Sequence, residues 1–131
     1  MSKGTILVCE DEANLRKGLG FTLEEADYAV VFAADGEEAL KQFKAQPIDV
    51  VLLDLKLPKV GGMAILNTLM ANQPPAKVIV LTAYQSFEFA DRAAKAGAID
   101  YITKPFEGDT VLKAVEKALS LPAGKRRAAA S

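Results

Sequence analysis

The sequence predicts an α/β fold, a (βα)5 doubly wound five-stranded parallel sheet of flavodoxin-like order 2-1-3-4-5. Three observations carry that prediction. Continuous apolar runs without polar alternation recur at residues 5–9, 49–53, 78–81 and 98–102, as strands buried on both faces of a parallel sheet read. Segments with apolar residues at helical spacing separate them, which implies right-handed helical crossovers covering both faces. Chemically distinctive side chains follow the runs: Glu10 and Asp11, then Asp54, Thr82 and Lys104. The carboxyl ends of strands are where open α/β sheets place their chemistry.

After the first strand, residues 12–26 carry Leu15, Leu19, Thr22, Leu23 and Ala26 at helical spacing. Gly18 and Gly20 weaken that helix by about 1 kcal/mol each relative to alanine. They complete no phosphate loop, because neither GxGxxG nor GxxxxGK[ST] is present. Residues 28–33 form the second strand. Asp35 caps the next helix, with Glu37 and Glu38 in its first turn and Ala39, Leu40 and Phe43 inward, and Pro47 ends it. Gly61-Gly62 breaks the loop after Asp54, and Met63, Ile65, Leu66, Leu69 and Met70 mark a third helix that stops at Pro74-Pro75. Residues 86–96 give a fourth, closed by Gly97. Asp109 caps a fifth, with Leu112, Val115 and Leu119 on one face. Residues 1–121 make one domain; 122–131, which include Lys125-Arg126-Arg127, lack apolar periodicity and read as a flexible, solvated tail or the start of a linker. That tail favours a chain that continues into a further domain over a stand-alone one.

Composition narrows the chemistry. The 131 residues suffice for one domain with a real core, half of them are apolar, and the net charge is -1. Nothing in that balance calls for nucleic acid. One cysteine, Cys9, excludes an internal disulfide and reads as a small buried apolar residue. No apolar run approaches the roughly 20 residues of a membrane span, and no signal peptide precedes the first strand, so a soluble cytoplasmic protein without membrane contact is expected. The absence of histidine excludes a histidine nucleophile, a histidine base and imidazole zinc ligands.

In the predicted strand order the first and third strands are neighbours, so Glu10, Asp11 and Asp54 converge. Each pair of carboxylates repels by about 4 kcal/mol at 4 Å for an effective dielectric near 20. Either one protonates or a cation sits between them, and hard oxygens favour magnesium. One oxygen of Asp54 then binds the metal and the other is free as a nucleophile toward a phosphoryl group. Magnesium, Lys104 and the Thr82 hydroxyl neutralise the transferring oxygens. A cis bond before Pro105 would aim Lys104 into the pocket.

These residues carry a resemblance. Glu10-Asp11, Asp54-x-x-Leu57-Pro58-x-x-x-Gly62, Thr82-Ala83 and Tyr101-x-x-Lys104-Pro105-Phe106 are each weak alone and specific together. Over residues 4–121 the chain resembles the receiver domain of bacterial two-component response regulators, most of all the nitrogen-regulator type, which usually precedes an ATPase and a DNA-binding domain. The resemblance implies that Asp54 accepts a phosphoryl group from a sensor histidine kinase in a magnesium-dependent reaction. It makes Asp11 a direct metal ligand, Glu10 a ligand through water, and the Lys56 backbone carbonyl a further ligand. Thr82 and Tyr101 become the switch that alters the surface of helix 4, strand 5 and helix 5. That surface, with Phe87, Phe89, Arg92, Lys95, Asp100 and Glu116 as exposed residues, is expected to pair two copies after phosphorylation and to control an output such as transcription, without direct nucleic-acid contact. The side chains of Lys56 and Tyr84 flank the path of an attacking water and set the dephosphorylation rate. The protein then catalyses nothing beyond its own phosphorylation and dephosphorylation.

Two features depart from the family pattern: Gly61, where Asp or Asn is common, and Glu10, where Asp is commoner. Two alternatives compete. A haloacid-dehalogenase-type phosphatase needs an Asp-x-Asp motif, but Lys56 holds the second position and there is no cap domain. A pseudo-receiver binding module would lack an acid or the lysine, and none is lost.

Overall fold

The computed structural model describes residues 2–56, 61–72, 76–83 and 87–121, apart from the side chains of Phe87 and Phe89. In chain order the elements are β1 (Thr5–Cys9), α1 (Ala13–Glu25), β2 (Ala29–Ala33), α2 (Gly36–Ala45), β3 (Val50–Asp54), α3 (Gly62–Met70), β4 (Val78–Thr82), α4 (Phe87–Ala96), β5 (Asp100–Thr103) and α5 (Gly108–Leu119). All pairings are parallel, and the sheet runs β2-β1-β3-β4-β5. This is the predicted order.

Period-two alternation assigns each strand residue to one of two cores. Leu7, Cys9, Val51, Leu53, Val78 and Val80 face α2, α3 and α4, packing on Ala39, Ile65, Leu66, Leu69 and Ala93. Ile6, Val8, Val50, Leu52, Ile79 and Leu81 face α1 and α5, packing on Leu19, Leu23, Val111, Val115 and Ala118. Both faces of the central strands are dry, which is why those strands read as unbroken apolar runs. Each such side chain contributes about 1.5–3 kcal/mol on burial.

Helix ends follow local chemistry. Asp35 accepts the Glu38 amide at 2.9 Å while the Glu38 carboxylate accepts the Ala34 amide at 2.9 Å, a reciprocal cap close to a capping box. α4 ends in a Schellman motif: Gly97 (φ 117°) and Ala98 donate to the carbonyls of Ala94 and Ala93.

Two expected boundaries move. β5 starts at Asp100 rather than at residue 98, because the Ala98 amide is committed to closing α4. α5 starts at Gly108 with Glu107 at the cap position and no side-chain cap bond. Asp109 therefore lies in the first turn, where it suits the helix dipole instead of capping. The Pro74-Pro75 stop, Ser86, the Leu57-Pro58 part of the motif after Asp54 and the 122–131 tail lie outside the described residues.

Candidate functional site

The sheet register builds the site. Cys9 pairs with Leu53 and Asp54 with Leu81, so Glu10 and Asp54 leave adjacent strands at the same level. Continuing the alternation past Val8, Leu52 and Ile102, Glu10, Asp54 and Lys104 all turn to the α1/α5 side. Glu10 is 0% and Asp54 3% exposed, while Asp11 lies at the surface. Carboxylate oxygens of all three acids lie within 4.8 Å of one another.

Lys104 answers the expected repulsion. Its ammonium donates to Glu10 Oε1 at 2.8 Å and to Asp54 Oδ2 at 3.0 Å. The remaining oxygens of this pair take backbone amides: the Lys56 N–H donates to Asp54 Oδ1 at 2.9 Å, and the Glu12 N–H to Glu10 Oε2 at 3.1 Å. Burial pushes the Glu10 carboxyl above its ordinary pKa, and the Asp54 charge adds to the rise; the bonds from Lys104 and the Glu12 amide oppose without cancelling it. Burial pulls the Lys104 ammonium down, but the hydrogen bonds and charges of Glu10 and Asp54 together outweigh it, and its pKa lies above that of a free lysine. The Lys104–Pro105 bond is cis.

Three carboxylates against one ammonium leave a formal charge of -2 in the pocket. With only oxygen donors offered, and Asp11 open to solvent, this set fits a hard divalent cation that keeps part of its water shell. The Lys56 amide places that residue's backbone beside Asp54.

Thr82 is fully buried at the end of β4. By alternation it faces α2–α4, opposite to the carboxylates, and its carbonyl accepts the Lys104 N–H at 2.7 Å. Tyr101 sits half-buried on the edge strand and packs into the same α2–α4 core. It pairs with Val80 as Thr103 pairs with Thr82, so Thr82 and Tyr101 are diagonal neighbours on one face. Burial raises the Tyr101 hydroxyl pKa. Tyr84 lies outside the described residues.

One participant escaped the sequence reading. Arg16, on α1, donates to the Glu10 carbonyl at 2.9 Å and to the Asp11 carbonyl at 3.4 Å. Four residues after Glu12, it reads in sequence as half of an ordinary exposed helix pair. Gly62 also has a definite reason. A Cβ there would lie 2.4 Å from the Leu55 Cα, so only glycine lets α3 start against the end of β3. Gly61 meets nothing within 4 Å.

A doubly wound parallel sheet with buried acids and one lysine at its carboxyl edge is a class of α/β domain whose site suits a hard divalent cation. Residues 6–116 match the family model described as the response regulator receiver domain, and the chain belongs to that family. Among curated relatives, it is 37% identical over 115 residues to the transcriptional regulatory protein ZraR of Escherichia coli, covering 88% of this chain and 26% of that protein. It is 31% identical to FixJ of Bradyrhizobium diazoefficiens, covering 98% and 64%. The chain thus spans less than two thirds of those relatives. A CheY-like receiver domain protein from Methanospirillum hungatei superposes with a TM-score of 0.84 at 30% identity, covering 90% of this chain and 94% of that one. TrrA from Thermotoga maritima, solved in complex with Mg(2+)-BeF, gives 0.80 at 36% identity, covering 91% and 100%. Among the described residues no helix is long and apolar enough to cross a membrane.

Proposed function

We propose that Asp54 is the phosphoacceptor of a two-component signalling pathway, charged by a sensor histidine kinase, and that the domain switches an output such as transcription. The observation that carries this reading is the Lys104 ammonium bridging the buried carboxylates of Glu10 and Asp54 with the Asp11 carboxylate in reach. An Asp54 oxygen attacks phosphorus; the bond from phosphorus to the donor nitrogen breaks, and the leaving imidazole keeps the electron pair and takes up a proton. Magnesium, held by Asp11, Asp54 and the Lys56 carbonyl, with Glu10 acting through water, would supply charge neutralisation to the equatorial oxygens. Lys104 exchanges a carboxylate partner for a phosphoryl oxygen. The domain's chemistry ends with the gain and loss of its own phosphate, and Lys56 and Tyr84 govern how fast water removes it.

Thr82 and Tyr101 then carry the signal. A phosphoryl oxygen draws the Thr82 hydroxyl toward the site, and Tyr101, diagonal to it on the same face, moves into the space released. Two copies pair through α4, β5 and α5. Supporting this, Arg92, Lys95, Asp100 and Glu116 are exposed, and a cavity of about 510 Å³ lined by Tyr101, Phe106, Thr110 and Lys113 lies along β5 and α5. The domain itself needs no membrane or nucleic-acid contact, consistent with a cytoplasmic protein.

The test is intact mass after incubation with acetyl phosphate. One phosphate should appear with magnesium, disappear with EDTA, and be absent from Asp54→Asn. An Asp54→Asn protein that gains phosphate at the wild-type rate would refute the assignment. Sedimentation of the beryllofluoride form should show dimers for wild type and monomers for Thr82→Ala.

A further inference from the structure

We infer that Arg16 is a positioning residue for the divalent cation: it fixes, from behind, the loop that carries Glu10 and Asp11. The inference rests on the reading of Glu10, Asp11 and Asp54 as the cation pocket. Residues 10–12 belong to neither β1 nor α1; the Glu10 amide donates to the Ala33 carbonyl at 3.0 Å, but among the described residues no ladder or helix bond sets the direction of the Glu10 and Asp11 carbonyls. Arg16 does so through one guanidinium nitrogen, at 2.9 and 3.4 Å. The Arg16 amide in turn bonds the Glu12 carbonyl at 2.9 Å, and the Glu12 carboxylate caps Leu15. The loop is therefore clamped from its own helix, one turn downstream.

Such a clamp has work to do. The three acids repel one another until a cation arrives, and among the described residues Lys104 pairs with Glu10 and Asp54 alone. Asp11, exposed and without any described bond to Lys104, is the member free to swing outward. Holding its carbonyl on the Arg16 side keeps its carboxylate within 4.8 Å of the other two. Arg16 also brings a positive charge under an acidic loop. The far side of its side chain borders a cavity of about 370 Å³ shared with Lys17, Phe32, Ala34 and Glu38. Truncation would thus open onto solvent rather than leave a dry hole, and the fold should survive it. Groups that orient metal ligands from outside typically change affinity about 10–100-fold.

Arg16→Ala and Arg16→Lys are compared with wild type by calorimetric magnesium titration, by thermal unfolding in EDTA, and by acetyl phosphate labelling across magnesium concentrations. Arg16→Ala should bind magnesium about tenfold more weakly. Its labelling rate should return to within about twofold of wild type at saturating magnesium, since the clamp acts through the metal. Arg16→Lys, which keeps the charge and a donor nitrogen but not the planar guanidinium, should recover part of the affinity. An Arg16→Ala protein within twofold of wild-type affinity overturns the inference. So does a labelling defect that persists at saturating magnesium. Should Arg16→Ala fail to fold, a folded Arg16→Lys with affinity equal to wild type overturns the guanidinium clamp, and a weakened one supports it. If wild type itself binds no magnesium, the pocket assignment fails, an outcome distinct from either result.

Discussion

Replacing Lys104 by methionine keeps an unbranched apolar stem, one atom shorter, and removes the charge together with the two hydrogen bonds it donates. Glu10 and Asp54, almost wholly buried, would then face each other without a cation. Their oxygens lie within 4.8 Å, a repulsion of at least about 3.5 kcal/mol for an effective dielectric near 20. Removing one partner of a buried pair costs about 3–5 kcal/mol. Lys104 keeps 21% of its side chain exposed, so solvent screening brings the expectation to about 2–3 kcal/mol at pH 8 in EDTA. For a domain of this size that is a fall in Tm of roughly 10 °C. The sign with pH follows from Glu10. Burial, and next the Asp54 charge, already hold its carboxyl above the ordinary value against the Lys104 and Glu12 bonds. Losing Lys104 raises it further. A raised carboxyl pKa gives stability that is complete when the group is protonated and is lost as pH rises through the folded value. Lys104's own contribution is full below 10.5, the ordinary lysine value, and lost only above its raised pKa. The gap between variant and wild type should therefore be small near pH 4, wide by pH 8, and narrowed by magnesium through mass action. Thermal melts in EDTA at the two pH values, followed by circular dichroism, give the answer. A variant within 2 °C of wild type at pH 8, or one penalised equally at both pH values, would refute the electrostatic account.

Other expectations are simpler to test. Gly18→Ala, with nothing within 4 Å of the new Cβ, should stabilise by about 0.5–1 kcal/mol in urea unfolding. Gly20→Ala should not, because its Cβ would lie 2.4 Å from the Phe32 ring; equal gains from both would contradict the packing. Gly62→Ala should cost about 1–3 kcal/mol in the same assay through backbone overlap with Leu55, whereas Gly61→Ala should change little. Cys9 is buried, and burial, with the Glu38 charge, raises its thiol pKa far above the usual range; iodoacetamide should label it only as fast as the domain unfolds, and rapid labelling at neutral pH would show a breathing core.

The central architecture was legible because local and global signals agree. Strands β1, β3 and β4 are apolar and buried on both sides through their middles, with polar residues only at their ends, so no other element type competes for them. The convergence of Glu10, Asp54 and Lys104 is readable too, once alternation is counted forward from Val8, Leu52 and Ile102. The misplaced start of β5 has a local cause. Ala98 and Ile99 look like strand, but the closing bonds of α4 claim Ala98 first. That Lys104 bonds both carboxylates at once, and that Arg16 clamps the loop, was hidden for a different reason. Long flexible side chains choose partners in three dimensions, and sequence spacing does not rank those partners. Gly61 and Gly62 look interchangeable in sequence; only the approach of the Leu55 backbone distinguishes them.

The sheet divides the labour. Alternation counted from Val8, Leu52 and Ile102 puts the carboxylates of Glu10 and Asp54 and the ammonium on its α1/α5 side, and counted from Val80 puts Thr82 with Tyr101 on its α2–α4 side. The Lys104 N–H to Thr82 carbonyl bond crosses between them at the rim. On the proposed switch, in which Thr82 is drawn to a phosphoryl oxygen, this rim is where the pocket hands over to the opposite face. Under that proposal, a substitution on the Tyr101 face leaves the carboxylates and the ammonium in place so long as the rim bond is kept. Only the rim residues are held to both tasks at once.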